Sequence, residues 1–157
     1  MKTNKLKIFI SGANGFIGNH LKNYLSKNYY LLTPNKKKLD LNNKIKLKEF
    51  LKKKKPDIII HLASSTKFKS NSNLEKNNQI SNTFNTTKNL VDNLNIECEL
   101  IIFFGSIEEY GKTKTPFKEI QKVKPISYYG KYKYSSFKYI KNKIKKKKLN
   151  IYGYDLR

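Results

Sequence analysis

Arginine is nearly missing from this chain. Basic residues number 34 against 11 acidic ones, yet Arg157 is the one arginine, so the net charge of +23 is carried by lysine. Proteins that read bases or phosphates bidentately use the planar guanidinium fork, which a lysine point charge does not replace. The lysines are also spread along the chain, and Lys, Asn, Ile, Tyr and Phe are abundant together, as the coding bias of an AT-rich genome produces. Specific nucleic-acid binding is therefore not expected, whereas weak, salt-sensitive adhesion to polyanions is. Cysteine occurs once, as Cys98 just before an apolar run. That excludes an internal disulfide, fits a reducing compartment and reads as packing. No apolar stretch approaches the ~20 residues of a membrane span, and no signal-peptide-like region opens the chain. A cytoplasmic protein with no membrane partner is expected, with enough chain at 157 residues for one domain with a core.

Glycine is scarce too, and three of the seven glycines stand close together in Ser11-Gly12-Ala13-Asn14-Gly15-Phe16-Ile17-Gly18. The stretch follows the apolar run Ile8-Phe9-Ile10 and leads into His20-Leu21-Lys22-Asn23-Tyr24-Leu25, which makes it a strand, a turn and a helix start. Gly12 permits a tight turn, Gly15 admits a pyrophosphate where a Cβ would stand, and Gly18 lets the helix pack close. The free N–H groups of the first helical turn favour the phosphates.

Strands and helices alternate along the rest. Strands are predicted at 7–11, 29–33, 57–63, 100–104 and 151–156, and helices at 15–27, around Ile45 to Leu51 up to Pro56, at 74–95 and at 127–148. The inner stripe of the long third helix is expected to be Ile80, Phe84, Thr87, Leu90, Val91 and Leu94. Asp57-Ile58-Ile59-Ile60-His61-Leu62-Ala63 and Leu100-Ile101-Ile102-Phe103-Phe104 are continuous apolar runs, suited to strands buried on both faces. The alternation predicts an α/β fold, a Rossmann-type doubly wound parallel sheet over residues 1–157, with ligands at the carboxyl ends of its strands. The glycine turn, the loop after Leu62 and Ala63, Ser106 and the start of the last helix fall at that end.

A second constellation is Ser106 with Tyr129 and Lys133. Tyr-x-x-x-Lys at the start of a helix puts both side chains on one face. An ammonium beside a phenol lowers the phenol's pKa from roughly 10, so Tyr129 is expected to exchange a proton with a sugar or alcohol oxygen that Ser106 also binds. The spacing alone is unspecific, since Tyr134 and Lys138 repeat it.

Taken in order, the motifs resemble the extended short-chain dehydrogenase/reductase family of NAD(P)-dependent nucleotide-sugar epimerases, dehydratases and reductases. Residues 11–18 resemble its Thr-Gly-x-x-Gly-x-x-Gly, and Leu39-Asp40-Leu41 its Leu-Asp-Leu near the adenine. Pro56 to Ala63 resembles Pro-Asp-x-Val-x-His-x-Ala, and Asn82-Thr83-Phe84-Asn85 takes the place of Gly-Thr-x-Asn. Gly105 to Gly111 resembles Ser-Ser-x-x-x-Tyr-Gly, and Pro116 to Glu119 a Pro-x-x-Glu loop before Tyr129-Gly130-x-x-Lys133. The resemblance implies Ser106, Tyr129 and Lys133 as the catalytic set, with Lys133 also on the nicotinamide ribose. Cofactor contacts are implied from Gly12, Asn14, Gly15, Phe16, Ile17, Gly18, Asp40, Leu41, Leu62 and Ala63. It further implies a nucleotide-sugar substrate, hydride transfer of the 4-keto-sugar reductase or epimerase type, and a homodimer as the candidate assembly.

The chain departs from the pattern in several places. Ser11 replaces the threonine, and the bracing asparagine before Gly-Thr falls on Gln79 beside Asn78. The Asp-Glu pair of the dehydratases is Ile107-Glu108, and an isoleucine cannot protonate a leaving hydroxyl, which disfavours dehydration. Thr33-Pro34-Asn35-Lys36 carries no acid for a ribose 2′-OH, and Lys36 to Lys38, with Lys36 the cofactor candidate, are placed for a 2′-phosphate, which favours NADP over NAD. Relatives continue past the Leu-Arg at 156–157, so the chain is expected to be an N-terminal part with the C-terminal substrate domain missing. A non-catalytic NAD(P)-binding module, or a decayed fragment of such an enzyme, is the alternative function.

Overall fold

The computed structural model describes residues 5–65, 72–94, 97–118, 120–147 and 152–155. Expectations placed on Glu119, Asn95, Lys148, Ile151 and the Leu156-Arg157 end lie outside them. Five parallel strands, β1 (Lys7–Ser11), β2 (Tyr30–Leu32), β3 (Ile58–His61), β4 (Leu100–Phe103) and β5 (Tyr152–Asp155), form one sheet in the order β2-β1-β3-β4-β5. The chain runs from β1 out to β2 and then crosses to β3 on the far side of β1. The carboxyl ends of β1 and β3 therefore flank the point where the winding reverses, where open α/β sheets hold ligands.

Alternation along each strand divides the core. Phe9, Ile59, Ile101 and Phe103 face one side, packed with Leu47 and Leu51 of α2 (Lys44–Lys54), Leu90 and Val91 of α4 (Thr86–Asp92) and Ile140 of α5 (Tyr128–Lys147). Ile8, Ile10 and Ile60 face the other side, covered by Leu21 and Leu25 of α1 (Phe16–Leu25). Apolar residues on both pleats explain the unbroken apolar runs of β3 and β4. Helix α2 starts on Asn43, whose side chain accepts from Lys46 N–H, and ends as Lys55 turns left-handed before Pro56. Cys98 is buried, which pushes its thiol up to about 11 and leaves it a packing residue. None of the described helices is long and apolar enough to cross a membrane.

The expected long third helix differs in one respect. It is built from α3 (Asn73–Ile80), a π-helical turn at Ser81–Asn85, and α4. A π turn holds one residue more than an α turn, so the buried stripe slips by one position ahead of it. Thr83 and Gln79 are buried where Phe84 and Ile80 were expected; those two are only half-buried, and Phe84 meets the Tyr139 ring edge-on.

Candidate active site

Gly12 leaves β1 with φ +75, and a Cβ there would stand 2.9 Å from Ala63 N. The turn closes with Gly15 N–H on the Gly12 carbonyl at 3.0 Å. Gly18 packs against that turn rather than on the sheet: a Cβ would lie 2.4 Å from the Gly12 oxygen and 2.6 Å from the Ala13 Cα. Gly15 differs from both. Within 4 Å its Cβ would meet only the Gly12 oxygen, at 3.3 Å, and Gly15 lines the cleft that opens above the turn. The loop has the cradle a dinucleotide requires, open at the one glycine expected to admit phosphate.

That cleft, of about 800 Å³, lies at the β1–β3 switch point and is lined by Gly12, Asn14, Gly15, Lys36, Asp40, Leu41, Leu62 and Ala63. Eight of the eleven expected cofactor residues outside the Tyr-Lys pair thus converge on one cavity. Its size falls in the range of small-molecule sites. Phe16 and Ile17 do not line it; their side chains are exposed at the first turn of α1, which carries no acidic residue. At the other end Asp40 accepts from Asn42 N–H at 2.9 Å, while buried Asn89 of α4 donates to the Leu41 carbonyl at 3.0 Å and anchors the loop. Lys36 reaches across to Asn82 of the π turn, Nζ to Oδ1 at 3.1 Å.

The floor is tied by a buried chain. Thr87 donates its hydroxyl proton to the Thr83 carbonyl at 2.8 Å, so at 2.9 Å it accepts from Nε2–H of His61. Nδ1 of His61 is then the acceptor for the Ser11 hydroxyl at 2.6 Å, and Ser11 Oγ receives Ala63 N–H at 3.3 Å. Burial, with the charge of Lys133 second, brings His61 down to about 3, so the imidazole is neutral at physiological pH.

Ser106, Tyr129 and Lys133 gather beyond the Ala63 end. Ser106 caps a short 3₁₀ turn at Ile107–Glu109: its hydroxyl accepts from Glu108 N–H at 3.3 Å and its N–H donates to Glu109 Oε1 at 2.9 Å. Ser127 caps α5, accepting from Gly130 N–H at 3.0 Å while donating to the Glu108 carboxylate. The side chain of Ser64, a cleft-lining residue, acts on the Tyr129 phenol and favours its ionised form. Lys133 is buried, its Nζ on the Phe104 carbonyl at 2.5 Å and 6.0 Å from the centre of the Tyr129 ring. The expected lowering of the phenol's pKa is not found. Burial raises it, Ser64 offsets part of that, and the Glu108 and Glu109 carboxylates raise it further. The Lys133 ammonium is directed at a backbone carbonyl and does not pull the phenol down.

Ser64, Asn82 and Thr86 line the cleft without having been expected there as site residues. Asn82 and Thr86 lie on a helix whose π turn leaves no periodic signal in a polar sequence, and Ser64 is one serine in a polar loop.

The family model of NAD dependent epimerases/dehydratases matches residues 8–154. A GDP-L-colitose synthase of Yersinia pseudotuberculosis is 44% identical over 59 residues, 37% of this chain and 19% of its own. The dTDP-4-dehydrorhamnose reductase of Bacillus anthracis, solved in complex with NADP, is 23% identical at a TM-score of 0.81 over 96% of this chain and 52% of that one. The UDP-glucose 4-epimerase of Brucella ovis, solved with NAD, is 21% identical at a TM-score of 0.83 over 96% of this chain and 51% of that one. The chain thus spans about half the length of these two structures, and the stretch matched to the synthase covers about a fifth of that protein.

Proposed function

Because the chain belongs to the NAD dependent epimerase/dehydratase family, we propose that its cleft holds NADP in preference to NAD and serves hydride transfer at a carbon of a nucleotide-linked 4-keto sugar. The observation that carries this reading is the convergence of the open Gly15 cradle, Lys36, Asp40 and the Ala63 end on one cavity, with Ser64 of its rim acting on the Tyr129 phenol. When bound, the nicotinamide supplies or accepts the hydride. The chain's own groups do the rest. Backbone N–H groups of the first α1 turn hold the diphosphate, and Lys36 meets a 2′-phosphate. Lys133 holds the ribose next to the nicotinamide.

Tyr129 moves the proton. Its raised pKa keeps the phenol neutral at physiological pH, the form that donates to a carbonyl oxygen as the adjacent carbon takes hydride. Ser106 directs its hydroxyl proton to the same oxygen, since the capping contact uses it only as an acceptor. Ile107 offers no proton to a leaving hydroxyl, which favours reduction or epimerisation over dehydration. Titration of the chain with NADPH, followed by turnover with a panel of GDP-, dTDP- and UDP-linked 4-keto sugars, tests the reading. Saturable cofactor binding by the chain is expected, and substrate-dependent NADPH oxidation by a version extended to the length of its relatives rather than by the chain alone. Failure to bind either dinucleotide overturns it, and binding without turnover by the chain and by a version extended to the length of its relatives favours the non-catalytic alternative.

A further inference from the structure

Lys36 is one of three consecutive lysines in the β2–α2 loop, and it differs from its neighbours in being anchored. Its Nζ donates to Asn82 Oδ1 at 3.1 Å, across 46 residues of sequence, and among the described residues no side-chain hydrogen bond is made by Lys37 or Lys38. The Asn82 amide is fixed in turn, its Nδ2 donating to the Asn78 carbonyl at 2.8 Å. Nitrogen on a carbonyl and oxygen on an ammonium is the one assignment that satisfies both contacts; the flipped amide would oppose donor to donor and acceptor to acceptor. An ammonium carries three donors, so after the amide takes one, two remain for a ligand in the cleft that both residues line. Asp40, the other charged lining residue, turns its carboxylate to the Asn42 amide and makes no ion pair with Lys36 among the described residues.

We propose that Asn82 is a positioning residue for cofactor choice: it holds the Lys36 ammonium at the cleft mouth as the reader of a dinucleotide's 2′-phosphate. The inference rests on the reading that the cleft takes a dinucleotide. Preorganisation is its physical basis, since a lysine on four rotatable bonds otherwise gives up side-chain freedom when it meets a phosphate. An amide suits the task better than a carboxylate, because it orients the charge without neutralising it.

The test uses two probes that differ only by that phosphate, adenosine 2′,5′-bisphosphate and 5′-AMP, in calorimetric titrations of the 157-residue chain at one ionic strength. Wild type is expected to favour the bisphosphate by about tenfold or more, and Lys36→Ala to abolish the preference. Asn82→Ala should reduce the ratio about three- to tenfold with 5′-AMP affinity unchanged, and should have no further effect in the Lys36→Ala background. Asn82→Asp should also reduce it, because the new carboxylate competes for the ammonium. A ratio kept in Asn82→Ala but lost in Lys36→Ala overturns the positioning role and leaves the NADP reading intact. An equal loss for both probes in Asn82→Ala overturns it in favour of a general role in the fold. A wild-type ratio of one overturns the proposal and the NADP preference together, and no binding of either probe overturns the dinucleotide reading beneath both.

Discussion

Ser64, the residue where the loop after β3 enters the cleft, acts on the Tyr129 phenol of α5 and favours its ionised form. The proposed proton-handling group of α5 and the proposed cofactor cavity are thereby linked to each other. In a version extended to the length of its relatives, Tyr129→Phe is expected to lower turnover by roughly 10²–10⁴-fold, the range for a lost general acid–base group, with cofactor affinity nearly unchanged. The pH profile carries a sign as well. The phenol's pKa is raised, so the protonated, donating form persists across neutral pH, and the reductive rate falls only as pH rises through that elevated value. Steady-state rates of wild type and Tyr129→Phe against pH check both; a full rate for the variant would remove Tyr129 from the mechanism.

Two glycines of one turn should respond in opposite ways to the same change. Gly15 has φ −77 and ψ 175, a conformation open to any residue, and its Cβ would meet only the Gly12 oxygen. Gly15→Val is therefore expected to fold with near wild-type stability and to lose dinucleotide binding. Gly18→Val places its Cβ against backbone at 2.4–2.7 Å, and overpacking of that kind costs about 1–3 kcal/mol or more. Calorimetric titration with chemical denaturation separates the two; unchanged cofactor affinity in Gly15→Val would make the turn purely structural.

Acid should weaken the fold through His61. In the folded state the imidazole stays neutral down to about 3, while in the unfolded chain it takes a proton below its ordinary 6.5. Between those values the unfolded state binds one proton more, so stability is complete above the unfolded pKa and falls with falling pH, by about 1.4 kcal/mol per pH unit once the unfolded imidazole is charged. Urea midpoints across the mildly acidic range should show this slope in wild type. The His61→Gln variant should be less stable at neutral pH and flatter over the same range. Parallel curves would place the acid sensitivity elsewhere.

How far the site was legible depended on the sequence distance of each relationship. The glycine turn and the alternation of strands with helices follow from local patterns, since each strand and turn declares itself within a few residues, while Asp40 and Ala63 came from the family resemblance. The slip of the buried stripe at residues 81–85 did not, because one added residue in a polar helix erases no periodicity that a short window detects. Nor did the behaviour of Tyr129. Four-residue spacing to Lys133 correctly put the two on one helical face, but the ammonium's partner is the Phe104 carbonyl, contributed by the end of β4. Which acceptor a buried lysine chooses is a tertiary fact.

The seam between the glycine turn and the β3 loop also bears on motion. Leu62 N–H is bonded to the Ser11 carbonyl at 3.1 Å, Ala63 N–H to the Ser11 hydroxyl, and Gly12 is so close to Ala63 that a methyl group would not fit. That side of the cavity has no slack. The opposite side is closed at Lys36 and Asn82 by the tips of two side chains, which turn about single bonds in picoseconds to nanoseconds. The cavity is therefore expected to widen first at Lys36 and Asn82, which on the proposed function is its adenosine end. A bound dinucleotide would leave by peeling from that end, its diphosphate the last part to let go.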